Sequence, residues 1–346
     1  MSRTDDAAVP TAEARALLES MVSIPSPSGE ERAAAEHLVG WLREHGREAW
    51  LDEVGNVRAP GEDGVLLSSH VDTVPGDLPV RVVDGELHGR GSVDATGPLC
   101  AMAVAAVETG ASFAGVVGEE TDSRGARHLV SERDAPAAVV DGEPGGWDAL
   151  TLGYRGFLAG TASARTGSAH TSRPEPNAVQ HLLDWWTDVE ATYDDGDGPV
   201  FETVTAKPVA VEGGLDDDGT AVTAEMEVQF RLPPDVDAAT VRTAVADDRV
   251  DVDWSSPVSP TLQSARTDLA RAFRAAVRSV GGDPRHLRKT GTSDVNLYAD
   301  SWDCPALTYG PGDSALDHAP DERLDLSGYD RAVDVLVRAC EEVVAA

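Results

Sequence analysis

Short apolar runs that each end on metal-type side chains set the tightest limit on how this chain can fold. Val65 to Ser69 leads into His70-Val71-Asp72, Ala114 to Val117 into Gly118-Glu119-Glu120, and Ala137 to Val140 into Asp141-Gly142-Glu143. Apolar runs of this length, bounded by turn residues, read as buried strands. Polar residues at the carboxyl ends of parallel strands gather on one rim, where α/β sheets bind ligands. Asp94, in the Gly-rich Gly89-Arg90-Gly91-Ser92-Val93-Asp94, and His318, after Leu316-Asp317, add ligands of the same kind.

The pattern between these runs supports an α/β fold with a mostly parallel mixed sheet flanked by helices. Helices are expected over 11–21, 30–46, 98–108 and 122–133, with strands over 49–52, 57–59, 65–69, 114–117 and 137–140. Ser28, with Glu31 three residues on, reads as the N-cap of the second helix. Residues 156–256 change texture: strand 157–165, helix 175–193, strands 199–212 and 220–230, helix 237–246 and strand 249–254 form a βαββαβ order, the ferredoxin-like α+β pattern. A helix over 267–279, strands near His286 and over 305–308, and a last helix over 327–344 return to the first unit. The expected domains are therefore 1–155 with 257–346, and an inserted 156–256.

Charge narrows the function classes. The 346 residues hold 61 acids against 28 Lys and Arg, a formal charge of -33, which argues against nucleic-acid or anionic-membrane binding because phosphate contact needs a basic face. The acid reads as evenly spread, with runs at Asp194-Asp195 and Asp216-Asp217-Asp218, and lysine is confined to Lys207 and Lys289. That composition predicts a halophilic surface whose self-repulsion depends on salt screening. Cys100, Cys304 and Cys340 lack any paired-ligand or redox spacing, which fits a reducing compartment. No basic segment followed by an apolar run opens the chain, and no 18-residue apolar stretch appears, so a soluble cytoplasmic protein is expected.

Each candidate ligand has an ordinary explanation as well as a chemical one. On a strand, side chains two apart face the same way, so Asp72 could accept from one nitrogen of His70 while the other holds a metal; a histidine beside a surface aspartate is also commonplace. Asp94 could be an Asx cap in a turn. Adjacent Glu119 and Glu120 at a strand end would repel inside a protein unless a dication reverses the cost. One could then ligate while the other serves as general base, although a solvated acidic loop explains the same pair. No cysteine belongs to the set, which favours a catalytic N/O centre over a Cys-rich structural zinc site.

Taken together the motifs carry a resemblance. His70-x-Asp72-Thr-Val-Pro, Gly89-Arg90-Gly91 leading to Asp94, Gly118-Glu119-Glu120, Gly142-Glu143-Pro144, Gly167-Ser-Ala-His170 with Pro174 and Asn177-Ala178, Gly291-Thr292-Ser293-Asp294, and His318 before Pro320-Asp321-Glu322 occur in the order of the dinuclear-zinc amidohydrolases. That family includes acetylornithine deacetylase, succinyl-diaminopimelate desuccinylase and carboxypeptidase G, and the match spans nearly the whole chain. The resemblance implies two Zn2+ per subunit, with Co2+ as a substitute. Asp94 would bridge them, His70 and Glu143 completing one site, Glu120 and His318 the other. Glu119 would be the base and Asp72 the orienting carboxylate. The insert would be lid and dimer surface, with His170 reaching across a homodimer to the oxyanion. Arg231 in Phe-Arg-Leu-Pro would grip a substrate carboxylate, for which a bidentate fork is suited, and the turn of Thr292, Ser293 and Asp294 would line the pocket.

Within the family, Gly89 to Leu99, Ser123-Arg124-Gly125-Ala126 and Tyr309-Gly310-Pro311-Gly312-Asp313-Ser314 look most like the hydrolases that release lysine or ornithine from the terminal glutamate of an acidic amino-group carrier protein, a step of lysine and arginine biosynthesis. Deacetylation of acetylornithine or acetyl-lysine by the same machinery is the nearest alternative. A noncatalytic metal- or solute-binding relative is the alternative of another class, and an intact Glu119 argues against it. One departure stands out: Asp94-Ala95-Thr96-Gly97 lacks the lysine that family members commonly carry two residues after the bridging aspartate.

Overall fold

The computed structural model describes residues 8–194, 196 and 198–344; the first seven residues and Asp195 of the first acidic run lie outside it. Two compact units emerge, one comprising the chain up to residue 153 with 263–287 and 293 onward, the other 154–262 with 288–292.

The first unit opens with α1 (Thr11–Val22) and α2 (Arg32–Glu44), then β1 (Trp50–Leu51), β2 (Val57–Ala59), β3 (Glu62–His70), β4 (Arg81–Val83), β5 (Glu86–His88), α3 (Thr96–Thr109), β6 (Ala111–Val116), α4 (Arg124–Glu132), β7 (Val139–Gly142) and β8 (Ala149–Tyr154). The second unit holds β9 (Gly156–Gly167), α5 (Ala178–Thr192), β10 (Thr205–Leu215), β11 (Ala221–Leu232), α6 (Ala238–Ala244), β12 (Asp251–Trp254) and β13 (Thr261–Leu262). The chain then runs through α7 (Asp268–Ser279), β14 (Arg285–Lys289), α8 (Val295–Ser301), β15 (Ala306–Thr308), β16 (Arg323–Asp325) and α9 (Leu326–Val344).

The main sheet of the first unit has the order β1-β2-β6-β3-β7-β15-β8. Its centre is parallel: β3 pairs β6 and β7, and β15 pairs β7, all in the same direction, while β2 joins antiparallel. Burial on both faces explains why these strands read as near-continuous apolar runs; every residue of β6 and β7 is buried. Helix α3 is buried from Thr96 to Ala106, with no polar face, and packs against α1, α9 and β3. Leu99 and Met102 there are fully buried, and truncating either to Ala should cost about 2–5 kcal/mol. Gly110 closes α3 in the left-handed region, φ 77°, where a side chain would be strained.

The second unit has the ferredoxin-like order expected from its βαββαβ pattern, with a sheet ordered β10-β11-β9-β12 and wholly antiparallel. Alternate β11 residues Ala224, Met226, Val228, Phe230 and Leu232 face its core, with Leu182 and Trp185 of α5. Asn177 and Gln180 form a capping box at the start of α5.

Several local expectations change. Ser28 is not an N-cap: Glu31 occupies that position without a side-chain cap, and the Ser28 hydroxyl donates instead to Asp72 Oδ2 at 2.7 Å. Strand β8, helix α8 and a small antiparallel sheet of β16-β5-β4 were not anticipated. Each has only two or three residues per face, too few to leave a periodic pattern.

Candidate metal centre

The carboxyl ends of the parallel strands bring the candidate ligands together. His70 is the last residue of β3, Glu119 and Glu120 occupy the turn after β6, and Glu143 directly follows β7. Asp94 precedes α3, and His318 follows a short 3-10 turn at Ser314–Leu316. His318 has φ 60°, a left-handed conformation that costs a non-glycine residue and is retained where surroundings enforce it.

Asp94 stands between the two imidazoles. Its Oδ1 lies 3.2 Å from His70 Nε2 and its Oδ2 3.1 Å from His318 Nε2. Glu120 Oε1 is 3.1 Å from His318 Nε2, and Glu143 Oε1 3.9 Å from His70 Nε2. Two groups, His70 with Glu119 and Glu143, and His70 with Asp94 and Glu120, each place their ligand atoms within 4.8 Å of one another. One aspartate oxygen directed at each imidazole is the arrangement of a bridging carboxylate. A set of four carboxylates and two imidazoles, without a thiolate, suits borderline dications such as Zn2+.

Asp72 works differently from the strand-face expectation, because β3 ends at His70. The His70 Nδ1 bonds to the Asp72 main-chain carbonyl at 2.8 Å, while the Asp72 carboxylate stands 3.6 Å off. This fixes the ring with Nε2 towards Asp94. The carboxylate itself accepts from the backbone N–H of Glu119 at 3.1 Å, of Glu120 at 3.2 Å, and from Ser28. Those bonds and the nearby His70 hold it down to about 2 despite its burial. Gly118 makes the turn possible: its φ is 77°, and a Cβ there would strike the Arg124 guanidinium.

The environment separates the acids. Burial pushes Glu119 well above the usual carboxylate range; His70 opposes that, and Glu143, Asp294 and Glu120 add to it. Glu120 is also raised, again chiefly by burial. Asp94 moves the other way, below its ordinary value, because its bonds to His318 and His70 outweigh burial. Burial would lower His70, but Asp72, Asp94 and Glu119 lift it well above normal; His318 rises to about 9 through its bond to Asp94.

Not every expected residue joins this cluster. Ser293 is buried and spends its hydroxyl on Asp141 Oδ2 at 2.5 Å, so it does not present that group to a ligand. Thr292 belongs to the second unit, where its hydroxyl accepts from Arg231 Nη1 at 3.2 Å. Arg231 also lies 4.6 Å above the Phe157 ring. His170 is exposed on the second unit, its Nδ1 2.8 Å from Ser172 Oγ.

Two groups have surroundings that sequence reasoning did not foresee, Glu322 and Asp294, the second read only as part of a pocket-lining turn. Glu322, 1 % exposed, accepts from the backbone N–H of Val93 at 2.9 Å and of Asp94 at 3.2 Å, and pairs with Arg90 Nη1 at 2.8 Å. Asp294, beside Asp141, is pushed up to about 7 by burial and then by that neighbour. Both stood inside quoted motifs, yet nothing local signalled what they hold.

Comparison with known proteins agrees with this geometry. Residues 66–342 match the family described as Peptidase family M20/M25/M40. A [LysW]-lysine hydrolase of Deinococcus radiodurans is 42% identical over 96% of this chain and 97% of its own length. A putative [LysW]-lysine/[LysW]-ornithine hydrolase of Thermococcus kodakarensis is 37% identical over 95% and 92%. In fold, the chain resembles an M20 family metallo-carboxypeptidase from Sulfolobus solfataricus, with a TM-score of 0.77 at 18% identity, covering 96% of this chain and 100% of the other.

Proposed function

The chain belongs to peptidase family M20/M25/M40, and from that premise we propose that it is a zinc-dependent hydrolase releasing lysine or ornithine from the terminal glutamate of an acidic amino-group carrier protein, in lysine and arginine biosynthesis. The observation that carries the chemistry is Asp94, with one carboxylate oxygen towards each of two imidazoles, and Glu119 grouped with His70 and Glu143 beside it. Support for the substrate comes from relatives named for this hydrolysis that match nearly the whole chain.

In this reading His70, Glu143, Glu120, His318 and Asp94 would hold two zinc ions, with cobalt as a substitute. When bound, the ions would supply a water of lowered pKa and a polarised carbonyl. Glu119 takes the proton from the attacking water. As the C–N bond breaks, it passes the proton to the departing α-amine. Asp72 keeps Glu119 and Glu120 in place through their backbone N–H groups.

For the inserted unit we assign the lid and dimer roles, with His170 donating to the oxyanion from a second subunit and Arg231, with Thr292, gripping the substrate carboxylate. An unpaired edge supports the homodimer: β10 lies at the rim of its sheet with Val209, Val211 and Leu215 51%, 63% and 68% exposed. The reading also places the protein in the cytoplasm of a halophile. No described helix is long and apolar enough to cross a membrane.

Purified protein loaded with zinc or cobalt should release amino acid from carrier-linked lysine and carrier-linked ornithine faster than from the N-acetyl forms. Turnover of the acetyl substrates alone would convert the assignment to a deacetylase, and turnover of none would remove the hydrolase reading in favour of a noncatalytic relative.

A further inference from the structure

Arg90 has one more pairing edge than the fold uses. Its Nη1 donates to Glu322 at 2.8 Å, and among the described residues Glu322 is the one acid that pairs with it. The Nε–H is buried and has no hydrogen-bond partner. A buried donor left unmet costs about 1–3 kcal/mol, which an acceptor entering from outside the chain would recover. Nε and Nη2 lie on the same side of the planar guanidinium, the edge that meets a carboxylate at two points. That edge faces Gly76, where a Cβ would come 3.2 Å from Nη2 and 3.5 Å from Nε. Glycine at 76, which its φ of 132° also demands, therefore keeps the edge open.

Arg90 and Gly76 both line a pocket of about 230 Å³ within the first unit, whose other walls come from the end of α1, the segment after it and the loop that follows Asp72. Met21 and Val22 form a buried floor, and half-buried Ile24, Val74, Leu78 and Val80 form apolar sides. Asp77 lies exposed at the rim. No candidate metal ligand is among the lining residues. The pocket still reaches the metal centre through two steps: Arg90 holds Glu322, and Glu322 holds the backbone N–H groups of Val93 and Asp94.

We infer that this pocket binds a small aliphatic carboxylate as an effector, with the ligand oxygens on the Nε and Nη2 edge of Arg90 and its hydrocarbon part among Ile24, Leu78 and Val80. Apolar walls with one placed cationic group are the make-up of a small-molecule site. They also select the ligand. An alcohol leaves the fork half-paired, an ammonium meets a like charge, and a second carboxylate would be drawn out of water without a partner and towards Asp77. With Nη1 on Glu322 and the opposite edge on the ligand, the guanidinium is fixed from both sides, which steadies the carboxylate that clamps the Asp94 turn. The inference does not depend on which amide the enzyme cleaves.

The test is titration calorimetry of the full-length, metal-loaded enzyme with hexanoate, hexan-1-ol, hexylammonium and norleucine at constant ionic strength. Hexanoate should bind about tenfold or more tightly than hexan-1-ol, and hexylammonium should not bind. Norleucine separates two sources of the same chemistry: binding equal to hexanoate supports the site as one for aliphatic amino acids, and weaker binding supports it as one for free acids. Arg90→Lys, which keeps a donor for Glu322 but lacks the fork, should bring hexanoate to within about twofold of hexan-1-ol. Leu78→Trp fills the pocket from a half-buried wall and should abolish hexanoate binding with metal content unchanged. Saturating hexanoate should also tighten zinc about fivefold in titrations of the apo-protein, and bound zinc should tighten hexanoate by the same factor. Equal binding of hexanoate and hexan-1-ol, or no binding, would overturn the site, and binding that survives Leu78→Trp would do so by placing the carboxylate elsewhere, on the metals included. Zinc affinity indifferent to hexanoate would overturn the effector role.

Discussion

The turns that present Asp94 and Glu119 are built alike and end in opposite chemistry. In each, a buried carboxylate outside the ligand cluster accepts two consecutive backbone N–H groups: Glu322 holds Val93 and Asp94, and Asp72 holds Glu119 and Glu120. The clamps differ in what balances their charge. Glu322 is paired with the Arg90 guanidinium, whereas Asp72 has the Ser28 hydroxyl and the His70 ring beside it. The clamped residues differ more. Asp94 faces two imidazoles and is held ionised; Glu119, desolvated and near Glu143, Asp294 and Glu120, is held towards its protonated form in the metal-free protein. Backbone clamping sets position, and the neighbours decide whether a carboxylate ligates or carries a proton.

Removing the clamps should separate these effects. Glu322→Ala leaves Arg90 half-buried without its carboxylate and two backbone donors unmet, so both metals should be held about 10- to 100-fold more weakly, with stability lost as well. Metal titration of the apo-protein checks this. Asp72→Asn keeps a backbone acceptor and should weaken metal binding less, lowering kcat by about tenfold with KM little changed. If the two variants lost metal equally and kept kcat, the two turns would not divide ligation from proton transfer.

A smaller effect is set by pH. His318 has its folded pKa raised to about 9 by Asp94, above an unfolded value near 6.5. In metal-free protein that interaction stabilises fully below about pH 6.5 and is lost as pH rises through about 9. Zinc needs the neutral ring, so its affinity should rise over the same interval. Denaturant melts of chelator-treated protein across that window should show a decline with rising pH that His318→Asn makes smaller, His70 contributing the remainder. Exposure of half the His318 side chain keeps the effect small.

Much of the site was legible because ligands at strand ends sit beside the apolar runs that make the strands, so His70, Glu119, Glu120 and Glu143 announce themselves locally. Their supports do not. Glu322 acts on a turn 228 residues away, and Ser28 was read as a helix cap because its hydroxyl suits one, whereas the fold spends it on Asp72, 44 residues on. Ser293 was assigned to the pocket for the same reason: a polar residue in a turn carries no mark of the buried Asp141 it will meet. The ferredoxin-like unit was readable from its element order, while the short β4, β5 and β16 of the first unit left no signal that periodicity could reveal.

In the proposed mechanism Glu119 carries a proton and does not ligate. Glu119→Gln preserves shape and removes the base, so metal content measured beside turnover of carrier-linked lysine tests that claim most directly. The expected result is two metal equivalents per subunit, as in the unsubstituted enzyme, with kcat lowered by about 10²- to 10⁴-fold. Loss of one metal in step with activity would contradict it and make Glu119 a ligand, leaving Glu120 as the base.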